Sequence, residues 1–278
     1  MVRLTRAFHF HRPSAFAKEP MMPPAEILGL AAAAAVAGAI NAVAGGGTLL
    51  TFPVLIFFGT GAVIANATST VALVIGTAGS IFGFRRQIGA VRGWLIRFVP
   101  VSVLGGWLGS VLLTRTGESI FARLVPFLIL FATILFLAQG AFRRFAGFAE
   151  KEPPSPHHRG VWIAIVFQFA VAVYGGYFGA GIGILMLSAL AYMGLRDVHE
   201  MNALKAILAT LINGVAAAWF ALEGKVEWRY AIPMAFSAIA GGYIGARLSL
   251  KFSSASVRKV VIAIGFSMSA YYLYKQYV

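Results

Sequence analysis

NAVAGGGTLLTFPVLIFFG, running from Asn41 to Gly59, is the stretch whose reading decides how this chain folds. Three consecutive glycines cut an apolar run that begins near residue 26, and the apolar piece that follows, 48–58, ends at Phe57-Phe58-Gly59. As a helix that piece rises only about 16 Å, against a hydrocarbon core about 30 Å thick. It is too short to cross alone. A second stretch, GAGIGILMLSALAYMG from Gly179 to Gly194, repeats the arrangement with a short piece at 183–193. Outward from these two, longer apolar stretches lie near 26–44, 62–84, 94–113, 121–142, 160–178, 202–222, 230–249 and 257–274. Each approaches the ~20 residues that a spanning helix needs. The expected fold is an all-α polytopic integral membrane protein of eight transmembrane helices, with two glycine-interrupted half-helices.

Composition agrees. Of 278 residues, 59% are hydrophobic and 12% charged, and the mean hydropathy is +0.82. Soluble domains run nearer ~45–50% apolar and ~25% charged, so an ordinary soluble enzyme is excluded. The net charge of +14 rests on 23 Lys and Arg against 9 acids, with Asp197 the only aspartate. Nucleic-acid binders gather their cations on a soluble basic face. Here they sit in short gaps between apolar runs, where they act as topology signals, so no nucleic-acid partner is expected. The lipid bilayer is the expected partner, and a homo-oligomer is compatible with the sequence. Without cysteine there are no disulfides or thiolate metal sites.

Residues 1–24 form an N-terminal tail with Arg3, Arg6, Arg12 and Lys18 and no apolar core of signal-peptide length. It reads as a cytoplasmic tail, an extended start ahead of Met21 or Met22, or an organelle-type transit segment. Eight spans with the N-terminus inside place 15 cations inside and 8 outside, so both termini and the linker 143–159 are expected in the cytoplasm.

The halves repeat. Gly46 corresponds to Gly181 and Gly59 to Gly194 at an offset of 135, while Asn66-Ala67 corresponds to Asn202-Ala203 at 136. GGWLG at Gly105–Gly109 corresponds to GGYIG at Gly241–Gly245, again at 136. The expected architecture is therefore two homologous four-span repeats, 25–142 and 160–278. Four being even, both should share one orientation.

No stretch holds an acid in its middle, so intramembrane carboxylate relays are not expected. His157-His158 and the RDVHE run from Arg196 fit no standard metal spacing. Neither a metal, a cofactor nor an enzyme is expected. Paired glycine interruptions, by contrast, point to a transporter's substrate site, because irregular backbone at membrane depth survives only beside protein or a water-filled cavity. Freed amides and half-helix N-termini favour anions; close helix packing is the competing reading of the same glycines. At 100° per residue, Asn66, Ser69, Thr70, Thr77 and Ser80 share one helix face, as do Asn202, Lys205 and Asn213, with Thr210 at its margin. Lys205, about a turn into its span, reads either as a functional charge or as a snorkelling side chain.

NAVAGGGTLLTFPVL followed by NATST, and GGYFGAGIGILMLSAL followed by MNALKA, resemble the two signature blocks of the TauE/SafE sulfite exporter family of membrane permeases. The resemblance runs from about Ala25 to Tyr274. It implies transport of a small anion, sulfite or an organosulfonate such as sulfoacetate, across a bacterial inner membrane. Gly45, Gly46, Gly47, Pro53, Asn66, Ser69 and Thr70 match the first block, and Gly179, Gly181, Gly183, Asn202 and Lys205 the second. In the second block Ile182 interrupts the glycines and Ser188 replaces the proline. The expected function is an alternating-access permease for such an anion, binding it at these residues. A non-transporting membrane scaffold or assembly subunit is the alternative.

Overall fold

The computed structural model describes residues 23–43, 46–83, 88–148, 158–192, 195, 197–248 and 254–277. Among them there are ten helices and no strand. In order they are α1 (Pro24–Val43), α2 (Thr48–Phe57), α3 (Ala62–Gly83), α4 (Ile88–Thr116), α5 (Glu118–Phe148), α6 (His158–Tyr177), α7 (Ile182–Tyr192), α8 (Val198–Leu222), α9 (Trp228–Leu248) and α10 (Ser254–Tyr277). Among the described residues, four segments are long and apolar enough to cross a membrane: Pro24–Asn41, Ile88–Thr116, Glu118–Ala138 and His199–Leu222. Large apolar side chains such as Leu104, Leu112, Leu137, Phe236 and Ile244 stand exposed. Water would not tolerate so continuous a surface, and lipid would.

The chain reverses at both glycine interruptions. Gly47 lies against Ala37 and Asn41, near the end of α1, while the Phe58 ring reaches Gly29, near its start. So α2 runs back along α1, and a short turn then sends α3 forward again. Thr51 of α2 bonds Ser69 of α3, as antiparallel neighbours should. The second interruption does likewise: Gly175 of α6 meets Ile182 at the start of α7.

Contacts along the helices fix their directions. Glu26–Tyr230, Ala35–Gly241 and Ala39–Gly245 keep one register, so α1 and α9 are parallel. Thr68–Glu227 and Gly76–Ala238 make α3 parallel to α9. Gly105–Phe169 and Gly109–Val173 make α4 parallel to α6, and Gly106–Ile212 with Thr114–Trp219 make it parallel to α8. Pro126–Ser269 and Thr133–Gly265 make α5 and α10 antiparallel. Glu118, the first residue of α5, accepts from the amides of Ala62 and Val63 at the start of α3.

Two faces result. The starts of α1, α3, α5 and α9 gather at one end of the bundle, and the starts of α4, α6, α8 and α10 at the other. This departs from the shared orientation expected of two four-span repeats. Because the chain folds back after α1 and after α6, each half makes three end-to-end passes plus a hairpin. An odd number of passes puts the α5–α6 connection at the end opposite Pro24.

Glycine makes the parallel pairs possible. A Cβ at Gly105 would stand 2.7 Å from Ala172 Cβ, and one at Gly245 2.5 Å from Ala39 Cα. These backbones approach too closely for a side chain, as in small-residue membrane interfaces. Phe52, Phe121 and Phe178 fill the centre edge to face, with Phe52 5.6 Å from Phe178 and 6.4 Å from Phe121. They tie α2 and α5 to the second interruption.

Candidate functional site

At the first interruption Gly46 has φ +92, a left-handed conformation that glycine adopts without strain. A Cβ there would enter the Phe136 ring on α5. The Gly47 amide donates to Asn41 Oδ1 at 2.7 Å, so one of the orphan amides at the start of α2 is already satisfied. Thr51 donates to Gly47 O at 3.2 Å and lies 2.6 Å from the Ser69 hydroxyl, both side chains being buried. Pro53 is buried within α2. Thr70 donates to Asn66 O in its own helix at 2.8 Å. Gly45 lies outside the described residues.

The second interruption runs from Tyr177, the last residue of α6, to Ile182, the first of α7. Gly179 (φ +81) and Gly181 (φ +83) both need the left-handed region. The amides of Phe178 and Gly179 return to Tyr174 O, and the Tyr174 hydroxyl donates to Ala180 O at 2.7 Å. Gly181 rests against Ala132 and Leu135 of α5. This is the turn whose Phe136 meets Gly46, so both interruptions converge on the middle of one helix.

Three polar side chains from elsewhere reach the second interruption, one of them Asn213 of α8, whose Oδ1 would lie 3.4 Å from a Cβ on Gly179. The Asn66 amide N–H donates to Tyr177 O at 3.1 Å, joining α3 to the end of α6. Lys205 lays its methylenes against Gly183 in the first turn of α7; a Cβ on that glycine would sit 3.3 Å from Lys205 Cδ. Its ammonium donates to Asn202 Oδ1 at 3.0 Å. The predicted pair Asn202–Lys205 is thus together with Gly183. Asn66 serves the second interruption, while its near neighbour Ser69 serves the first. Asn41, Thr51 and Tyr174 hold the interruptions in shape and were not singled out from sequence. Their available signal was a polar side chain within a turn or two of each glycine cluster.

The electrostatics of the second interruption are polarised. Its α7 side offers a helix N-terminus, with partial positive charge and amides lacking an i−4 carbonyl, against the methylene stem of Lys205, whose ammonium turns to Asn202. Its α6 side offers a helix C-terminus, with partial negative charge. The carboxylates among the described residues stand at helix ends: Glu26, Glu118, Asp197, Glu200, Glu223 and Glu227. Among the described residues no cluster of His, Asp and Glu could hold a metal ion. The arrangement suits a dehydrated anion, which needs converging donors when it leaves water.

Comparison with known proteins gives a consistent picture. The family model described as sulfite exporter TauE/SafE matches residues 30–272. A probable membrane transporter protein of Haemophilus influenzae is 27% identical over 244 residues, covering 87% of this chain and 92% of the relative. The probable membrane transporter protein YfcA of Escherichia coli K12 is 24% identical over 242 residues, covering 87% of each. YunE of Bacillus subtilis, also named a probable membrane transporter protein, is 25% identical over 257 residues, covering 83% of this chain and 92% of its own. No solved structure matches the chain significantly.

Proposed function

The chain belongs to the sulfite exporter TauE/SafE family of membrane transporters, and we propose that it carries a small sulfur oxyanion, sulfite or an organosulfonate, across a bacterial inner membrane. The observation that carries this reading is the second interruption, where the α7 N-terminus and Lys205 meet at Gly183. The anion binds there, its charge neutralised by the ammonium and its oxygens taken by the amides around Gly181–Gly183. Asn202 holds the ammonium in place. Gly46 and Gly47 form the matching turn in the first half, and Thr51, bonded to Ser69, closes it. An enzyme is not favoured, because the site offers donors and no nucleophile–base pair.

Alternating access is supported by the way the helices pack. Exchanging α1–α5 with α6–α10 turns the α1–α9 contact into α6–α4, α4–α8 into α9–α3, and α2–α10 into α7–α5. All of these occur. The pattern fits two inverted repeats of five helices, whose hairpins enter from opposite faces and meet at α5. Rocking of one repeat against the other would open the site to each side in turn.

Charge then orients the bundle. Among the described residues, the end where α4, α6, α8 and α10 begin carries Arg92, Arg97, Arg143, Arg144, Arg159, Arg247, Arg258 and Lys259. The other end of the helical body has Arg115, Arg123, Lys225, Arg229 and Lys275. The positive-inside rule puts the first end, with the linker 143–159, in the cytoplasm, and so the start of α1 and the end of α10 on the other side, against the expectation that both termini share the cytoplasm with the linker.

The direct test is a substrate panel. Purified protein in proteoliposomes should take up labelled sulfite, and unlabelled sulfite or sulfoacetate should compete while taurine, a zwitterion, competes poorly. Equal competition by zwitterion and anion would contradict an anion site built on Lys205.

A further inference from the structure

Asn66 is 1% exposed. Its N–H is committed to Tyr177 O, and its Oδ1 has no hydrogen-bond partner among the described residues. A buried acceptor without a donor is costly, and such an atom is uncommon enough in folded proteins to call for an explanation. Its position fixes the sign of what it attracts. Tyr177 ends α6, so Asn66 sits where the last carbonyls of a broken helix carry partial negative charge. Tyr177 O keeps a second lone pair after accepting from Asn66. Oxygens of this kind, at the C-terminal ends of interrupted helices, suit a cation and repel an anion.

The second half of the chain supplies an internal comparison. Asn202 follows Asn66 by 136 residues, and Lys205 follows Ser69 by 136. Asn202 Oδ1 accepts from the Lys205 ammonium, so one copy of this asparagine pairs its oxygen with a cation tethered to the chain. In the other copy residue 69 is a serine, and its hydroxyl is engaged with Thr51. We propose that Asn66 Oδ1, with Tyr177 O, holds a free monovalent cation of sodium size, which does for Asn66 what Lys205 does for Asn202. This rests on the repeat equivalence drawn in the proposed function. The second interruption then binds both signs, an anion at the start of α7 and a cation at the end of α6. Transport gains a coupling ion without any buried carboxylate.

The deciding test, a thermal shift, needs no anion substrate. Full-length protein in a neutral detergent is unfolded thermally in sodium chloride and in choline chloride at equal ionic strength. Sodium should raise the apparent Tm saturably, since it binds the folded state alone, and Asn66→Ala should abolish the shift. Ser69→Lys, which copies the arrangement of the second half, should unfold at one temperature in both salts. In proteoliposomes, wild-type sulfite uptake should be about tenfold faster in sodium than in choline, within the usual 5–150-fold range of coupling between sites. Equal Tm in the two salts for wild type, or an undiminished sodium shift in Asn66→Ala or Ser69→Lys, overturns the proposal. If Asn66→Ala does not fold, Ser69→Lys and the wild-type comparison still decide. Because the thermal shift uses no sulfite, the cation site can fail while anion transport stands, and the reverse.

Discussion

In the proposed anion site Lys205 would supply the charge at the second interruption and Gly183 the space beside its stem. Lys205→Met keeps the apolar stem and removes the ammonium. Loss of a hydrogen bond to a charged group is worth roughly 1.5–3 kcal/mol, so sulfite Kd should rise at least about tenfold, measured by calorimetry on the purified protein. At the other interruption Gly46 joins a positive φ to a close approach by the Phe136 ring. Gly46→Val therefore has no comfortable conformation and should abolish transport, and Gly46→Ala should lower the apparent Tm. Wild-type uptake by Gly46→Val would make that glycine dispensable. Asp197 belongs to the surface instead. It caps α8 by accepting from the Glu200 and His199 amides, and those two bonds hold its carboxyl below the usual aspartate range. A depressed carboxyl stabilises the fold above its unfolded pKa and loses that contribution as pH falls through the folded value. Asp197→Ala should thus melt earlier than wild type near neutrality, and the difference should shrink below about pH 4. The glycines and asparagines were legible because residue type alone marks them. Their partners were not. Asn66 finds Tyr177 across 111 residues, and helical periodicity reports only which residues share a face.

At the scale of elements, hydropathy located the helices well and their directions poorly. The two short apolar pieces 48–58 and 183–193 became α2 and α7 almost residue for residue. A twenty-residue apolar run looks the same whether the chain then leaves the membrane or turns back within it. The length of such a run says nothing of the return through α2 or α7, and that is why the repeats were expected to share an orientation. The matched glycine blocks carried more than the run lengths did. Gly105 meets the backbone of α6 at Phe169, and Gly241 meets the backbone of α1 at Ala35. The two contacts exchange under the proposed repeat, so they should respond alike. Gly105→Leu and Gly241→Leu should each force the parallel helices apart, reducing folded yield and apparent Tm in detergent. Overpacking a tight interface commonly costs about 1–3 kcal/mol. Gly93, where a Cβ meets nothing within 4 Å, is the control, and Gly93→Ala should melt with wild type. A stable Gly105→Leu beside a collapsed Gly241→Leu would break the equivalence of the halves.

For the whole molecule, topology and transport are separable claims. The chain has no cysteine, so single cysteines can be placed without a background. Pro154→Cys, in the linker, should react with an impermeant thiol reagent only from the cytoplasmic side. Glu223→Cys, between α8 and α9, should react only from outside. Labelling of both from one side would contradict the inverted arrangement. Transport itself is tested most directly by uptake of labelled sulfite into sealed proteoliposomes containing the purified protein. Wild type should show saturable uptake well above protein-free vesicles, and Lys205→Met reconstituted at equal density should show uptake near the protein-free level at the same subsaturating sulfite. Sulfite uptake by Lys205→Met at the wild-type rate and affinity would contradict the assignment of the anion to the start of α7.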